Sequence, residues 1–236
     1  MQALVPAAGR GSRLRPLTDD RPKALVEVEN RPLLEHVFGA LSGHVDEYVV
    51  VVGYLGDRIR NHFDGDYRGT PITYVEQPER LGLADAVRRA EPAIEGPFVQ
   101  LNGDNILSGG VESVLETHRE TQADATLLVE RVSRERAKRG GVVVTDDDGQ
   151  PTALVEKPEG PPSRLATTGC FAFSERIFHA IEAIDPSERG EYELPDAIGW
   201  LLENGGSVEI VRLDGDRVNV NTAADIERAE GLLDAN

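Results

Sequence analysis

Short apolar runs alternate with amphipathic stretches along the first part of the chain, and this rhythm limits the folds open to it. We predict strands over residues 2–6, 48–52, 72–75 and 98–101. Between them the spacing predicts helices over residues 32–41, 57–63 and 83–91. Such alternation favours right-handed βαβ units and a mostly parallel sheet in an α/β fold. Loops that directly follow strands then meet at the carboxyl rim of the sheet, where ligands bind in such folds.

The second part of the chain is less regular but still mixes strands with helices. Further strands are predicted over residues 124–132, 141–144, 153–156, 168–173, 208–213 and 218–220. A hairpin turn is predicted at residues 146–149. A helix is predicted after Ser174, which would be its N-cap, with Ile184 on the apolar face. A second helix is predicted over residues 194–203. A third is predicted from Thr222, with Asp225 as its capping-box partner. No repeat or linker interrupts these patterns, so we expect one domain over residues 1–236.

A basic, glycine-rich loop comes directly after the first predicted strand. It reads Gly-Arg-Gly-Ser-Arg-Leu-Arg-Pro-Leu-Thr over residues 9–18, and Pro22 and Lys23 follow. Glycine lets the backbone aim N–H groups at an anion, while Arg and Lys hold positive charge over phosphate oxygens. A Walker loop would end in Gly-Lys-Ser/Thr, and a dinucleotide fingerprint would have glycine where Leu14 stands. A basic surface turn is the simpler alternative, but the full run favours a polyphosphate site.

The charge and the cysteine content limit which binding partners and which cellular compartment we expect for this chain. The chain has 42 acidic and 25 basic residues, a net charge of −17, so we expect no binding to nucleic acid. No apolar stretch approaches the roughly 20 residues that span a bilayer, so we expect no membrane partner. The single cysteine, Cys170, lies in an apolar run and is interpreted as a core thiol. One cysteine cannot form an internal disulfide and no signal peptide is visible, so we expect a cytoplasmic protein. The acidity also suggests a halophilic source, because salt screens such charge.

Together with three later segments, the loop resembles the sugar-1-phosphate nucleotidylyltransferases, most closely the glucose-1-phosphate thymidylyl- and uridylyltransferases. These segments are Gln77–Ala86, Gly103-Asp104-Asn105 and Val155-Glu156-Lys157-Pro158, which occur in the family's order. The resemblance covers nearly the whole chain. It implies a Rossmann-like, doubly wound, mostly parallel but mixed sheet of the nucleotide-diphospho-sugar transferase type. The nucleotide-binding half would cover about residues 1–110, and a sugar-binding elaboration about residues 111–236.

The same resemblance implies an enzyme of nucleotide-sugar and glycan biosynthesis. It would transfer a nucleotidyl group from dTTP or UTP to a hexose 1-phosphate, with glucose 1-phosphate as the first choice, and release pyrophosphate. The family analogy further implies a homo-oligomer. No acetyltransferase-type hexapeptide repeats are found, so a second activity is not expected.

Individual residues are assigned by the same resemblance. The nucleotide-binding residues would be Ala7, Ala8, Gly9, Gly11, Ser12, Arg13, Lys23, Gln77, Gly82 and Asp104. The sugar-phosphate-binding residues would be Asn105, Gly141, Glu156, Lys157, Thr168 and Gly169. The catalytic residues would be Arg13, Lys23, Asp104 and Lys157. Gln77 would meet the pyrimidine base, and Gly82 would leave room for its ring.

Magnesium would be the cofactor, held by Asp104 and Asn219. Asn219 stands where the family commonly has an aspartate, and the N-acetylglucosamine-1-phosphate branch resembles this chain there. Two other transferases therefore stay open, an N-acetylglucosamine-1-phosphate uridylyltransferase and a mannose-1-phosphate guanylyltransferase. The alternative from another class of protein is an inactive homologue, which would bind a sugar nucleotide and regulate a partner. Taken singly, Gln77 could be an ordinary strand end, Asp104 an Asx turn and Asn219 a helix cap.

Overall fold

The computed structural model describes residues 1–234, which form fourteen strands, eight α-helices and three 3-10 turns. The strands are β1 (Gln2–Pro6), β2 (Glu27–Val28), β3 (Arg31–Pro32), β4 (Glu47–Val52), β5 (Asp66–Tyr67), β6 (Thr70–Glu76), β7 (Phe98–Leu101), β8 (Asn105–Leu107), β9 (Ala125–Arg131), β10 (Gly141–Thr145), β11 (Pro151–Glu156), β12 (Leu165–Phe173), β13 (Val208–Arg212) and β14 (Arg217–Asn219). The helices are α1 (Leu33–Leu41), α2 (Gly56–Phe63), α3 (Leu83–Arg89), α4 (Val111–Thr121), α5 (Arg134–Ala137), α6 (Arg176–Glu182), α7 (Leu194–Glu203) and α8 (Ala223–Asp234). The 3-10 turns cover Ser12–Leu14, Lys23–Leu25 and Glu91–Ala93. The predicted α/β class is confirmed.

A sheet of ten strands forms the centre of the fold. Its order is β11-β10-β12-β7-β1-β4-β6-β5, and β9 pairs with both β12 and β13 beside this path. The neighbours β7, β1, β4 and β6 run parallel, as the strand–helix alternation predicts. By contrast, β12 is antiparallel to β7, β9 and β10, so the second part of the chain adds an antiparallel wing. The sheet is therefore mixed, with a parallel centre.

The direction in which strands are added to the sheet reverses at β1. From β1 the connection runs outward through α1 to β4 and through α2 to β6, and it returns through α3 to β7 on the other side of β1. The carboxyl ends of β1 and β7 thus lie side by side, and the loops that leave them can form a crevice. The backbone N–H of Gly103 donates to the carbonyl oxygen of Pro6 at 3.1 Å. The two loops therefore share one rim, as predicted.

Both faces of the central strands are covered by helices. In β1, Leu4 belongs to the apolar cluster that includes residues of α3, α6 and α7, whereas Ala3 and Val5 belong to the cluster that includes α1, α2 and α4. All three side chains are fully buried. Strands covered on both faces need nearly continuous apolar sequence, which explains the valine run in β4. Each fully buried Val or Leu contributes roughly 1.5–3 kcal/mol, so this double layer holds the rim rigidly.

A third, smaller apolar cluster fixes the C-terminal helix next to the glycine-rich loop. Val218 of β14 and Ala229 of α8 pack in the same cluster as Leu14, which ends the 3-10 turn in the loop. The carboxylate of Asp225 accepts a hydrogen bond from the backbone N–H of Thr222 at 2.8 Å, which is one half of the predicted capping box; the Thr222 hydroxyl donates to the same carboxylate at 2.9 Å and does not complete the other half. Residues from near both ends of the chain are thus packed together.

Most predicted elements are confirmed with boundaries that shift by a few residues. The helix α4 is not among the predicted elements, although Val111, Val114, Leu115 and His118 are buried at helical spacing. Several two- and three-residue strands are also additional, because strands this short carry little periodicity.

The helix predicted after Ser174 begins two residues later than its capping residue. Ser174 Oγ accepts a hydrogen bond from the backbone N–H of Arg176 at 3.3 Å, so the hydroxyl does serve the start of the helix. The helix α6 ends at Glu182, however, so Ile184 packs against the core from the following segment and the prediction that it lies on the helix is wrong.

Cys170 lies in β12 and is fully buried, which confirms its interpretation as a core thiol. Burial raises the pKa of this thiol to about 12, so it carries no thiolate at neutral pH. Within residues 1–234, none of the helices combines the length and the apolar character needed to cross a bilayer.

Candidate active site

A cavity of about 400 Å³ opens at the rim where β1 and β7 end. It is formed by the loop after β1, the residues that follow β7 and the segment between β6 and α3. All ten residues predicted to bind a nucleotide line it, namely Ala7, Ala8, Gly9, Gly11, Ser12, Arg13, Lys23, Gln77, Gly82 and Asp104. Arg80, Asn102 and Asn221 also line it and are not among the predicted residues. The structure thus brings the predicted nucleotide-binding residues together around one cavity.

Gly11 sets the shape of the glycine-rich loop. Its φ of 63° lies in the left-handed region, and a Cβ at this position would lie 2.9 Å from Lys23 Cβ. The hydroxyl of the buried residue Thr18 donates to the carbonyl oxygen of Gly11 at 2.8 Å and fixes this part of the loop. Among residues 1–234, no acceptor pairs with the backbone N–H groups of Gly9, Arg10 or Gly11. These amides are therefore free to bind an anion.

A hydrogen-bonded cluster of charged and amide side chains lies beside the loop. Lys23 Nζ donates to Asp104 Oδ2 at 2.6 Å and to Asn221 Oδ1 at 2.8 Å, and Arg13 Nη2 donates to the same Asn221 oxygen at 2.8 Å. Such charge-assisted bonds hold both cations in place before any ligand arrives. The cluster holds two cations and one anion, so it is locally positive on a strongly negative chain.

The two-stranded sheet of β8 and β14 brings Asn219 next to Asp104. Asn219 pairs with Asn105 in the strand register, and the backbone N–H of Val220 donates to the carbonyl oxygen of Asp104 at 2.9 Å. Asn221 Nδ2 in turn donates to Asn219 Oδ1. The two residues predicted as metal ligands are therefore neighbours, and Asn221 links them to the cationic cluster.

The donor atoms at this place suit a hard cation. Asp104 and Asn219 supply a carboxylate and a side-chain amide oxygen, and oxygen is the ligand that Mg²⁺ prefers, whereas Asn221 Oδ1 already accepts from Lys23 and Arg13. In the described part of the chain, no group of three or more His, Cys, Asp or Glu side chains could hold a metal ion by itself. Magnesium commonly uses one or two carboxylates and completes its shell with water and substrate phosphates. The donor set therefore fits a magnesium ion that is shared with a phosphate.

Gln77 and Asp85 form a buried hydrogen-bonded network at the cavity wall. Gln77 Nε2 donates to the carbonyl oxygen of Gly82 at 3.0 Å and to Asp85 Oδ2 at 2.9 Å. Asp85 is fully buried in α3, and its carboxylate also accepts from Arg88 and Arg89, each at 2.8 Å. The side chain of Gln77 is thus held in one orientation.

Gly82 is required by backbone packing. Its φ of 102° and ψ of 177° belong to a region that only glycine adopts readily. A Cβ at this position would lie 2.4 Å from the carbonyl oxygen of Tyr192 and 2.8 Å from its backbone nitrogen. Tyr192 is fixed there because its N–H donates to Leu81 and its carbonyl accepts from Ala84. The structure thus gives a reason for glycine other than the expected room for a base ring.

The change Gly82→Ala is expected to destabilise the protein by about 2 kcal/mol through backbone strain and the clash with Tyr192. For a chain of this size the thermal midpoint should fall by roughly 4–8 °C. The control is Gly96→Ala, because Gly96 also has a positive φ, 73°, but a Cβ there would meet nothing within 4 Å. Thermal unfolding of both variants should show the larger loss for Gly82; equal losses would contradict the packing argument.

The predicted sugar-phosphate residues Gly141, Glu156 and Lys157 lie in the antiparallel wing and do not line this cavity. Burial raises the pKa of Glu156 even though Lys157 Nζ lies 3.0 Å from its Oε1. Arg189 Nη2 lies 3.9 Å from the same Glu156 oxygen and 2.6 Å from Glu193 Oε1. Two cations and two carboxylates thus form a second polar cluster. Arg189 and Glu193 are not among the predicted residues.

The other predicted sugar-phosphate residues, Asn105, Thr168 and Gly169, are buried beneath the rim. Thr168 Oγ1 donates to the carbonyl oxygen of Leu128 at 3.0 Å, and Asn105 Oδ1 accepts from Arg217 at 3.2 Å. At Gly169, where φ is 85°, a Cβ would lie 2.6 Å from Asn105 Nδ2. The side chains of Asn105 and Thr168 therefore support the rim from inside and do not line the cavity.

An ion pair between Arg217 and Glu130 joins β14 to the antiparallel wing. Arg217 Nε and Nη2 each lie 2.8 Å from Glu130 Oε1, and Nη1 also donates to the carbonyl oxygen of Thr168. The two side chains are only 11% and 15% exposed. Burial is the main cause that lowers the pKa of Arg217. This pair fixes the strand that carries Asn219.

Comparison with known proteins gives one consistent result. A family model described as nucleotidyl transferase matches residues 2–216. The UTP–glucose-1-phosphate uridylyltransferase AglF of Haloferax volcanii is 46% identical over 234 residues, which cover 99% of this chain and 96% of that protein. A glucose-1-phosphate thymidylyltransferase of Streptomyces antibioticus is 38% identical, covering 99% of this chain and 70% of that protein. A Bacillus anthracis crystal structure with sucrose, assigned as a glucose-1-phosphate thymidylyltransferase, superposes with a TM-score of 0.88 at 28% identity, covering 98% of this chain and 94% of that one.

Proposed function

The chain belongs to the nucleotidyl transferase family, and on that premise we propose that it joins a pyrimidine nucleoside triphosphate to a hexose 1-phosphate. The products are a nucleoside diphosphate sugar and pyrophosphate. The observation that carries this proposal is the convergence of free loop amides, Arg13, Lys23 and Asp104 around one cavity at the rim of β1 and β7. On a chain with a net charge of −17, a positive pocket of this kind is suited to a triphosphate.

The nucleotide binds in the cavity, with its phosphates over the glycine-rich loop. Free N–H groups at Gly9 and Gly11 and the guanidinium of Arg13 hold the β- and γ-phosphates. Lys23 neutralises the charge that develops at the α-phosphate. The side chains of Arg13 and Lys23 are already fixed by Asn221 and Asp104, so little reorganisation is needed in the transition state.

The hexose 1-phosphate approaches from the side of the antiparallel wing, where Lys157 and Arg189 offer positive charge and Glu156 offers an acceptor for sugar hydroxyls. An oxygen of the sugar phosphate attacks the α-phosphorus. A new P–O bond forms there as the bond to the departing pyrophosphate breaks. The attacking oxygen is already anionic, so no general base is required. Placement and charge neutralisation supply the catalysis.

Magnesium is the proposed cofactor. Asp104 and Asn219 would hold it, and Asn221 would orient the amide of Asn219, because its Nδ2 donates to Asn219 Oδ1. When bound, the ion supplies positive charge to phosphate oxygens of both substrates.

UTP and glucose 1-phosphate are the first choice of substrates. The relative that is 46% identical and matches this chain over nearly its whole length is named for that pair, whereas the thymidylyltransferase relative is 38% identical. The same relative comes from Haloferax volcanii, which agrees with a halophilic origin for so acidic a chain. We also propose a cytoplasmic homo-oligomer organised as one domain, with the sugar side built from its second part.

A matrix of nucleotides and sugar phosphates tests the proposal. UTP, dTTP, CTP, GTP and ATP are each combined with glucose, N-acetylglucosamine and mannose 1-phosphates at high salt with Mg²⁺. Released pyrophosphate is measured. We expect the highest kcat/KM for UTP with glucose 1-phosphate, and loss of turnover when EDTA replaces Mg²⁺. Absence of pyrophosphate release in every combination would contradict the enzyme and favour a binding homologue.

A further inference from the structure

The amide of Gln77 has only one chemically consistent orientation. The group that faces both Asp85 Oδ2 and the carbonyl oxygen of Gly82 must be the NH₂, because a carboxylate and a carbonyl only accept hydrogen bonds. Both hydrogens of Nε2 are thus used. A flipped amide would point Oε1 at Asp85 Oδ2 and at the carbonyl oxygen of Gly82, with no hydrogen between them. The usual ambiguity between nitrogen and oxygen in a glutamine does not arise here.

The oxygen of Gln77 remains available to a ligand. Among residues 1–234, no donor is within hydrogen-bond distance of Oε1. Within residues 1–234, the buried side-chain atoms that lack a partner do not include Oε1, so this unpaired oxygen is accessible to solvent, and Gln77 lines the cavity. Because both hydrogens of Nε2 are used, Oε1 is the polar atom of this side chain that is left for a ligand in the cavity.

Asp85 maintains this arrangement as an ionised carboxylate. Burial alone would raise its pKa, but hydrogen bonds from Gln77, Arg89 and Arg88 hold the pKa below its usual value. A protonated carboxyl could donate to Gln77 and would no longer oppose a turned amide, so the ionised state is the one that keeps Nε2 toward Asp85. Asp85 itself is fully buried and does not line the cavity.

We propose that Asp85 is a positioning residue that selects uracil or thymine over cytosine by fixing Gln77 with its oxygen toward the base. Uracil and thymine carry a hydrogen on ring nitrogen N3 and can donate it to an acceptor. Cytosine has a lone pair on N3, which would face the oxygen of Gln77 without a hydrogen between them. A polar group that loses its partner in this way discriminates strongly between ligands of equal size. This inference rests on the proposed function, because it assumes that a nucleotide base lies at Gln77.

The test is the change Asp85→Asn, read as the ratio of kcat/KM for UTP to kcat/KM for CTP. Asparagine keeps the size of the side chain but can donate to Gln77 Oε1, so only the Gly82 carbonyl oxygen still holds Nε2 and the preference for one orientation of the amide is weakened. We expect the ratio to fall at least tenfold, through a higher KM for UTP and a lower KM for CTP. An unchanged ratio in a folded, active variant would overturn the inference.

The matched control is Asp124→Asn. Asp124 is a largely buried carboxylate that, like Asp85, accepts a hydrogen bond from an arginine, here Arg176; it also accepts from the backbone N–H of Ser207 and does not line the cavity. Its variant should melt at a lower temperature and keep the wild-type ratio. A ratio that falls equally in the control would assign the effect at Asp85 to general loosening and overturn the proposal.

A double-mutant cycle separates positioning from stability. Gln77→Met removes the acceptor, so adding Asp85→Asn to it should change the ratio by less than twofold. A further large fall would show that Asp85 acts independently of Gln77.

The wild-type protein provides a test that needs no variant. It should not use 3-methyl-UTP, which has no hydrogen on N3, and equal use of this analogue and UTP would overturn the inference even if Asp85→Asn does not fold. Failure of the proposed function looks different, because no nucleotide would then release pyrophosphate.

Discussion

Replacing Lys23 by methionine is expected to lower turnover at least about 100-fold, or about 2.7 kcal/mol in activation free energy. Lys23 is the cation that contacts both Asp104 and Asn221, and removal of one preorganised donor at a developing charge costs about this much in other enzymes. Methionine keeps the length and the apolar stem, so packing against Gly11 is preserved. Pyrophosphate release at saturating substrate is the measurement.

The control for this change is Lys138→Met. Lys138 is half-exposed in the antiparallel wing and pairs with Glu135 on the surface, away from the cavity. Its loss removes the same charge from the chain and should leave turnover within twofold of wild type. Normal turnover in a folded Lys23→Met variant would show that the cluster around Asp104 is not where the phosphates react.

The second large effect is expected at the buried ion pair of Glu130 and Arg217. Changing Glu130 to glutamine leaves the charge of Arg217 in a mostly buried place without a counter-charge, and should lower the free energy of unfolding by about 3 kcal/mol. Urea denaturation measures this loss as a lower midpoint with an unchanged slope. Activity should fall in parallel, because Arg217 holds Asn105 and the strand that carries Asn219.

Two further variants separate the buried pair from surface charge. Arg136→Met removes the other, half-exposed partner of Glu130 and should cost less than about 1 kcal/mol. The double change Glu130→Met with Arg217→Met removes both charges and should recover part of the stability lost in Glu130→Gln. A double variant that is less stable than Glu130→Gln would show that packing, rather than the uncompensated charge, dominates.

The sequence reveals the nucleotide side of this molecule well because its determinants are local. The glycine-rich loop, Gln77 and the Gly-Asp-Asn turn each follow a strand closely, Lys23 belongs to the same sequence motif as the loop, and parallel strands align their carboxyl ends. Once the strand–helix rhythm is recognised, their meeting at one rim follows from the topology. The confirmed bounds of β1 and β7 show how far this local reasoning reaches.

Other parts of the site cannot be predicted from local patterns. Asn221 joins the cluster only because β14, a predicted strand, pairs antiparallel with β8, and β8 is a strand of three residues with almost no periodic signal. Arg189 lies in an irregular segment, and only the fold brings it close to Glu156. Thr168 illustrates the opposite case: it is a polar residue at a promising position, but its hydroxyl is used within the core.

The partners of Asn221 are 198 and 208 positions away along the chain, at Lys23 and Arg13. During translation the basic loop leaves the ribosome early, long before β14 is made. Until then the two cations lack the acceptor that aligns them. We therefore expect the nascent protein to bind a triphosphate tightly only after β14 has been synthesised and has docked.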